Sequence, residues 1–136
     1  MQISSPSFEN NTEIPSTYTC AGEGVSPPLD IYDIPEEAKS LALIMDDPDA
    51  PMGIFTHWLV WNIDPKTLQI DESFTSPDAT KYIAPCPPSG THRYNFKLYA
   101  LSEEITIEPE EKEDLQDAMK GKILAEAKLT GLCSAD

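Results

Sequence analysis

Apolar residues gather in short segments of this chain, some alternating with polar positions and some continuous, the patterns of strands with one or both faces buried. "LDIYDI" (29–34) alternates in this way and predicts a strand. "SLALIMDD" (40–47) is apolar over most of its length and predicts a buried strand. "HWLVWNI" (57–63) is β-branched and aromatic, which suits a pleated, packed surface. "HRYNFKLYAL" (92–101) is the longest clear strand. Between them, "DPDAPMG" (47–53) reads as a loop by its prolines and glycine, 64–81 is polar, and "APCPPSG" (84–90) is irregular. Residues 1–27 read as loop with short edge strands. The period changes over 110–129, where Leu115, Met119 and Ile123 stand at i, i+4 and i+8 behind a cluster of acids, as a helix start prefers. Gly121 divides that stretch, so it predicts one or two short helices, with "LTGLCSAD" (129–136) as a last short strand. The fold class expected is mainly β, an antiparallel sheet protein, in a single domain spanning 1–136 with no regular βαβ alternation.

Composition narrows the function. The 13 prolines are about twice the usual ~5% and call for many turns and sheet edges. Net charge is −15, from 24 acids against nine lysines and arginines. A phosphate backbone or an anionic bilayer needs cations, so nucleic acid and stable membrane binding are not expected. The three cysteines, Cys20, Cys86 and Cys133, are odd in number and lack C-x-x-C spacing. With no basic and apolar leader at the N-terminus, they are expected to be reduced thiols of a cytoplasmic protein.

Strand parity points to a site. His92 and Tyr94 share a face with Phe96, Leu98 and Ala100, while Arg93 points the other way. Asp47 shares parity with Leu41, Leu43 and Met45 at the end of its strand, and His57 with Leu59, Trp61 and Ile63 at the start of its own. If 40–47 runs antiparallel to both other strands, Asp47, His57, His92 and Tyr94 meet at one sheet edge above an apolar layer. Both histidines of the chain fall in this set. A few polar groups over an apolar floor suit a small-molecule site. Arg93, the sole arginine, is expected to serve architecture through a buried or half-buried ion pair with Asp49.

"DDPDAP" (46–51), "HWLVWNI" (57–63) and "PCPPSGTHRYNFKLYAL" (85–101) together resemble the phosphatidylethanolamine-binding protein family, in particular its bacterial and archaeal Raf-kinase-inhibitor-like branch. "YTCAGEGVSPPL" (18–29) and "AMKGKILAEAKLTGL" (118–132) fit the same branch. The resemblance implies an antiparallel β-sandwich with peripheral helices and a pocket for phosphate or phosphorylated headgroups. Its residues would be Asp47, Asp49, Pro51, His57, Pro88, His92 and Tyr94, with a cis bond before Pro51. The chain departs from the branch in 67–85, which is short and lacks a glycine- and asparagine-rich loop. It also carries Lys122 in "GKIL" and Cys133 where tyrosine and arginine are usual nearby.

The expected function is therefore a small-anion binding module, regulatory or inhibitory, without catalysis, cofactor or metal. Partners would be phosphate or a phosphorylated small molecule or lipid headgroup, a kinase or protease target, and a second copy of the chain. The alternative is a hydrolase or metal-dependent enzyme built on His57, His92 and Asp47. No H-x-H, H-E-x-x-H or G-x-S-x-G motif supports that alternative.

Overall fold

The computed structural model describes residues 1–135. Asp136, the last residue of the expected domain, lies outside the described residues. The strands are β1 (Gln2–Ser4), β2 (Thr12–Glu13), β3 (Leu29–Tyr32), β4 (Ser40–Asp47), β5 (Phe55–Ile63), β6 (Gln69–Ile70), β7 (Thr91–Leu101) and β8 (Ile123–Ser134). A 3-10 turn spans Ser16–Tyr18, and the helix α1 spans Lys112–Met119. β4 explains the arrangement. All eight of its residues are buried, so both of its faces must be covered. Leu41, Leu43 and Met45 face a second sheet, and Ala42 and Ile44 face α1.

The larger sheet has the order β2-β8-β7-β4-β5 and the smaller one β1-β3-β6. β4 runs antiparallel to both β5 and β7, as the site argument requires. The pairing of β2 with β8 is parallel, an exception in an otherwise antiparallel fold. The core between the sheets holds Leu29, Ile31, Trp58, Phe96 and Leu98, each almost wholly buried. Burying one such aliphatic or phenyl side chain contributes roughly 1.5–3 kcal/mol. On the outer face, Leu115 and Met119 of α1 close over Ala42, Ile44, Leu59 and Trp61. The helix starts where Asp114 accepts hydrogen bonds from the N–H groups of Glu110 and Glu111.

The helical reading of 110–129 holds only to Met119. Lys120–Lys122 turn the chain, with Gly121 at φ +75°, and Ile123–Ser134 then pairs with β7 along its whole length. Ala125, Ala127, Leu129, Gly131 and Cys133 alternate with Glu126, Lys128 and Thr130, a period of two. Good helix formers in the first half of this segment mask that alternation, and cross-strand pairing overrides their propensity. Ile123, which would have extended the helical stripe, is instead 42% exposed. At Gly131 a side chain would run into Ile14 and Phe8, so close sheet packing requires glycine there.

Candidate functional site

The site forms where β4 ends and β5 and β7 begin. Asp47, the last residue of β4, is buried, and its Oδ2 accepts a 2.7 Å hydrogen bond from His92 Nδ1. That bond fixes the ring orientation of His92 and leaves Nε2 as its remaining polar atom. Asp47 Oδ1 accepts the N–H of Asp49 at 2.8 Å, which bends the chain into the following loop. Both side chains are nearly closed to solvent, with relative exposures of 4% for Asp47 and 8% for His92.

His57 arrives by a different route from the one its parity implies. Met45 faces Trp58 and Asp46 faces Thr56, so His57 is an extra residue in β5. A second extra residue lies between Val60 and Ile63, where Asn62 has φ +53°. Trp58, Val60 and Ile63 therefore face the core between the sheets, while Leu59 and Trp61 face α1. Simple alternation puts His57 on the α1 face. The bulge turns it toward Tyr94, whose ring lies edge-on 5.1 Å away. His57 Nδ1 donates to Ile83 O at 2.6 Å, because a carbonyl can only accept. Burial lowers the His57 pKa below its usual value, which favours the neutral ring, whose Nε2 is an acceptor.

Tyr94 is 1% exposed and stacks beside His92, with ring centroids 6.4 Å apart. Burial, and then the negative charge of Asp47, push its pKa far above the ordinary phenol range. Its hydroxyl keeps its proton and remains a donor. Asp47, His57, His92 and Tyr94 line one cavity of about 270 Å³, together with Pro51 and Pro88. Six of the seven residues expected from the sequence thus meet.

Asp49 is the seventh, and it does not line this cavity. Its Oδ2 accepts from Arg93 N and Nε at 2.8 and 2.9 Å, and its Oδ1 from Arg93 Nη2 at 2.8 Å. These Arg93 hydrogen bonds lower the Asp49 pKa to about 2. Arg93 points away from the pocket as its parity predicts, but the pair is at the surface: the arginine side chain is 59% exposed. The contact ties the 48–54 loop to the start of β7 and so holds the pocket rim.

No cis peptide bond occurs among the described residues, contrary to the expectation before Pro51. Gly53 N–H donates to Ala50 O at 3.1 Å, a turn whose second position accepts a trans proline. The cysteines also differ from expectation. Cys20 and Cys86 form a disulfide across 66 residues, with Cα atoms 5.4 Å apart. Sequence spacing cannot show a pair that only the fold brings together. The bridge removes the thiol argument for a reducing compartment. No described helix is long and apolar enough to cross a membrane.

The remaining cavity walls were not singled out from the sequence. Ala50, Phe55, Ile83, Ala84, Cys86 and Pro87 complete a mostly apolar lining. Phe55 stands two residues before His57, which is a signal in hindsight. Ile83 has none, because it falls between the polar stretch 64–81 and the irregular segment 84–90. It lies along the free edge of β5, where Asp78 O accepts from Trp61 N–H, and Thr80 and Ile83 donate to Leu59 O and His57 O. Among the described residues, no group of three or more His, Cys, Asp or Glu side chains could hold a metal ion.

The comparisons with known proteins agree with this architecture. A family model described as phosphatidylethanolamine-binding protein matches residues 4–134. A "UPF0098 protein" of Methanothermobacter thermautotrophicus is 46% identical over 149 aligned positions, covering 97% of each chain. One from Chlamydia muridarum is 41% identical, with both chains fully covered. A crystal structure from Chlamydia trachomatis, described as a phosphatidylethanolamine-binding protein homologue, superposes with a TM-score of 0.94 at 39% identity over 99% of this chain and 97% of that one. An Escherichia coli structure, described as a new member of the mammalian family, shares the fold with a TM-score of 0.88 at 23% identity, covering 99% of this chain and 98% of its own.

Proposed function

The chain belongs to the phosphatidylethanolamine-binding protein family, and from that premise we propose that its pocket binds a small oxoanion, phosphate or a phosphorylated headgroup, as a regulatory or inhibitory module without catalysis. The observation that carries the reading is the buried Asp47–His92 contact at one side of the cavity. It orients one imidazole, while Tyr94 and His57 complete a small polar set within apolar walls.

The chemistry of that set selects the ligand. Tyr94 donates its O–H, and His92 donates from Nε2 when protonated. Asp47 and the neutral His57 accept. A dianion would meet repulsion from Asp47, and Arg93 is engaged by Asp49. A monoanionic phosphate or phosphomonoester fits better, since its P–O⁻ takes the donors and its P–OH serves an acceptor. The ammonium of an ethanolamine headgroup would also find Asp47. A cavity of about 270 Å³ suits a headgroup-sized ligand. Few contacts and a net charge of −15 make binding weak. A binding role also agrees with walls of alanine, proline, phenylalanine and isoleucine, and with a phenol that holds its proton.

Calorimetry near pH 6 tests the proposal. Phosphate should bind more tightly than sulfate, which brings no proton for Asp47 or His57. His92→Ala should weaken phosphate binding by about 1.5–3 kcal/mol, the worth of a hydrogen bond to a charged group. Lys122→Ala, outside the pocket, should change it little. Equal losses from both variants would mean that diffuse surface charge attracts the anion.

A further inference from the structure

The segment 84–90 supplies one wall of the pocket through Ala84, Pro87 and Pro88, yet it has no regular structure. Pro85, Pro87 and Pro88 have no N–H to donate, so this wall is poor in means of anchoring itself. Its ties to the 17–24 loop are the Cys20–Cys86 bridge and the hydrogen bond from Cys20 N–H to Pro85 O at 3.0 Å. Both begin at Cys20. Both bridge residues are exposed. On the far side of the wall lies a second cavity of about 350 Å³, lined by Cys20, Cys86, Cys133 and Glu13. It shares Cys86, Pro87 and Pro88 with the anion pocket, so these three residues are a partition between two chambers.

We propose that the second cavity is a thiol-exchange site, at which a small dithiol opens the Cys20–Cys86 bridge and thereby loosens the anion pocket. The effect on affinity rests on the binding reading above, whereas the loosening does not. A thiolate of the reagent bonds to one bridge sulfur, the bridge S–S bond breaks, and the other cysteine leaves as a thiolate. The reagent's second thiolate then attacks its own sulfur in the mixed disulfide and expels the second cysteine. Both cysteine thiolates take protons from solvent. The dithiol ends as a cyclic disulfide, oxidised by two electrons, and the protein bridge is reduced. Glu13 and the acidic surface favour an uncharged or cationic reagent over an anionic one.

The test uses dithiothreitol as the probe and reads two quantities. Amide exchange is followed at Cys20 and Ile83, whose N–H groups bond to Pro85 O and His57 O, and at Leu43 and Phe96 in the central strands. Reduction should speed exchange at Cys20 and Ile83 and leave Leu43 and Phe96 protected, and reoxidation should reverse this. Phosphate affinity should fall about tenfold if the closed wall is then populated about a tenth of the time. The paired change Cys20→Ser and Cys86→Ser should reproduce the reduced state. Unchanged exchange after reduction overturns the proposal, as does loss of protection at Leu43 and Phe96, which would make the bridge a fastener of the whole fold. Faster exchange with unaltered phosphate binding overturns the coupling and spares the pocket. Faster exchange in a protein that binds no phosphate in either state overturns the binding reading and leaves the exchange site standing.

Discussion

Asp47 and Asp49 lie two residues apart and are held by neighbouring residues of β7, yet their surroundings give them different work. Asp47 is buried and meets His92 beside a cavity, so its charge is felt by His92, Tyr94 and any ligand. Asp49 is at the surface and is filled by Arg93 through three hydrogen bonds. The first contact keeps an unused ring nitrogen for chemistry, and the second uses its groups to fasten a loop. A third acid sharpens the comparison. Asp46 faces the outer side of the sheet, where its Oδ2 takes Lys97 Nζ at 3.1 Å and its buried Oδ1 has no hydrogen-bond partner. Three acids within four residues thus meet three side chains of one strand, and burial together with access to the cavity decides which contact is costly to break.

The largest effect is expected at the outer pair. Lys97→Met leaves Asp46, 1% exposed, as a buried charge without a partner, which should cost about 2–4 kcal/mol in thermal or urea unfolding. Adding Asp46→Asn should restore part of that loss. An unchanged Tm would mean that water already serves Asp46. His92→Ala should cost less, about 1–2 kcal/mol, because the cavity lets water reach Asp47 Oδ2. A loss equal to that of Lys97→Met would show that the pocket contact is structural first.

Smaller effects separate the two sides through pH. The His57 pKa is lowered by burial, so its contribution to stability is complete above the unfolded histidine pKa of about 6.5 and declines as pH falls through the lower folded value. His57→Gln should flatten the Tm profile below about pH 6.5, and an identical slope would show that His57 titrates freely. Arg93→Met should shift Tm least, since that pair is exposed. Its signature lies in acid. Asp49 titrates at about 2, so the pair's contribution is present above the ordinary carboxylate pKa and lost as pH falls through about 2. In the variant, carboxyl NMR should move Asp49 up from about 2 toward 3.8 but short of it, because the N–H of residue 93 still donates to Oδ2. A midpoint that stays near 2 would assign the lowering to some other group.

What could be read in advance follows the same division. β4 is legible as an apolar run and β7 by its period of two, and their antiparallel pairing delivers Asp47, His92 and Tyr94 to one edge. Parity alone sends His57 to the α1 face, and only a bulge, set by pairing, turns it to the pocket. The first half of β8 was hidden because Ala125, Glu126, Ala127 and Lys128 suit a helix equally well until β7 is beside them. The bridge between Cys20 and Cys86 depends on two loops meeting, which no local pattern records. Resemblance assigns Asp49 to the pocket, whereas parity turns Arg93 away from it; the expected Arg93–Asp49 pair forms, but at the surface and not buried or half-buried.

The central claim is that the Asp47–His92 side of this comparison receives the ligand. An NMR titration with inorganic phosphate near pH 6 tests it most directly, following the imidazole signals of His57 and His92 together with the backbone amides. The account predicts saturable shifts of both rings and of amides at Phe55 and Ala84, which line the cavity, with little change at Arg93 or Lys97. Shifts centred on Arg93, Lys97 or Lys128 while both imidazoles stay still would contradict it.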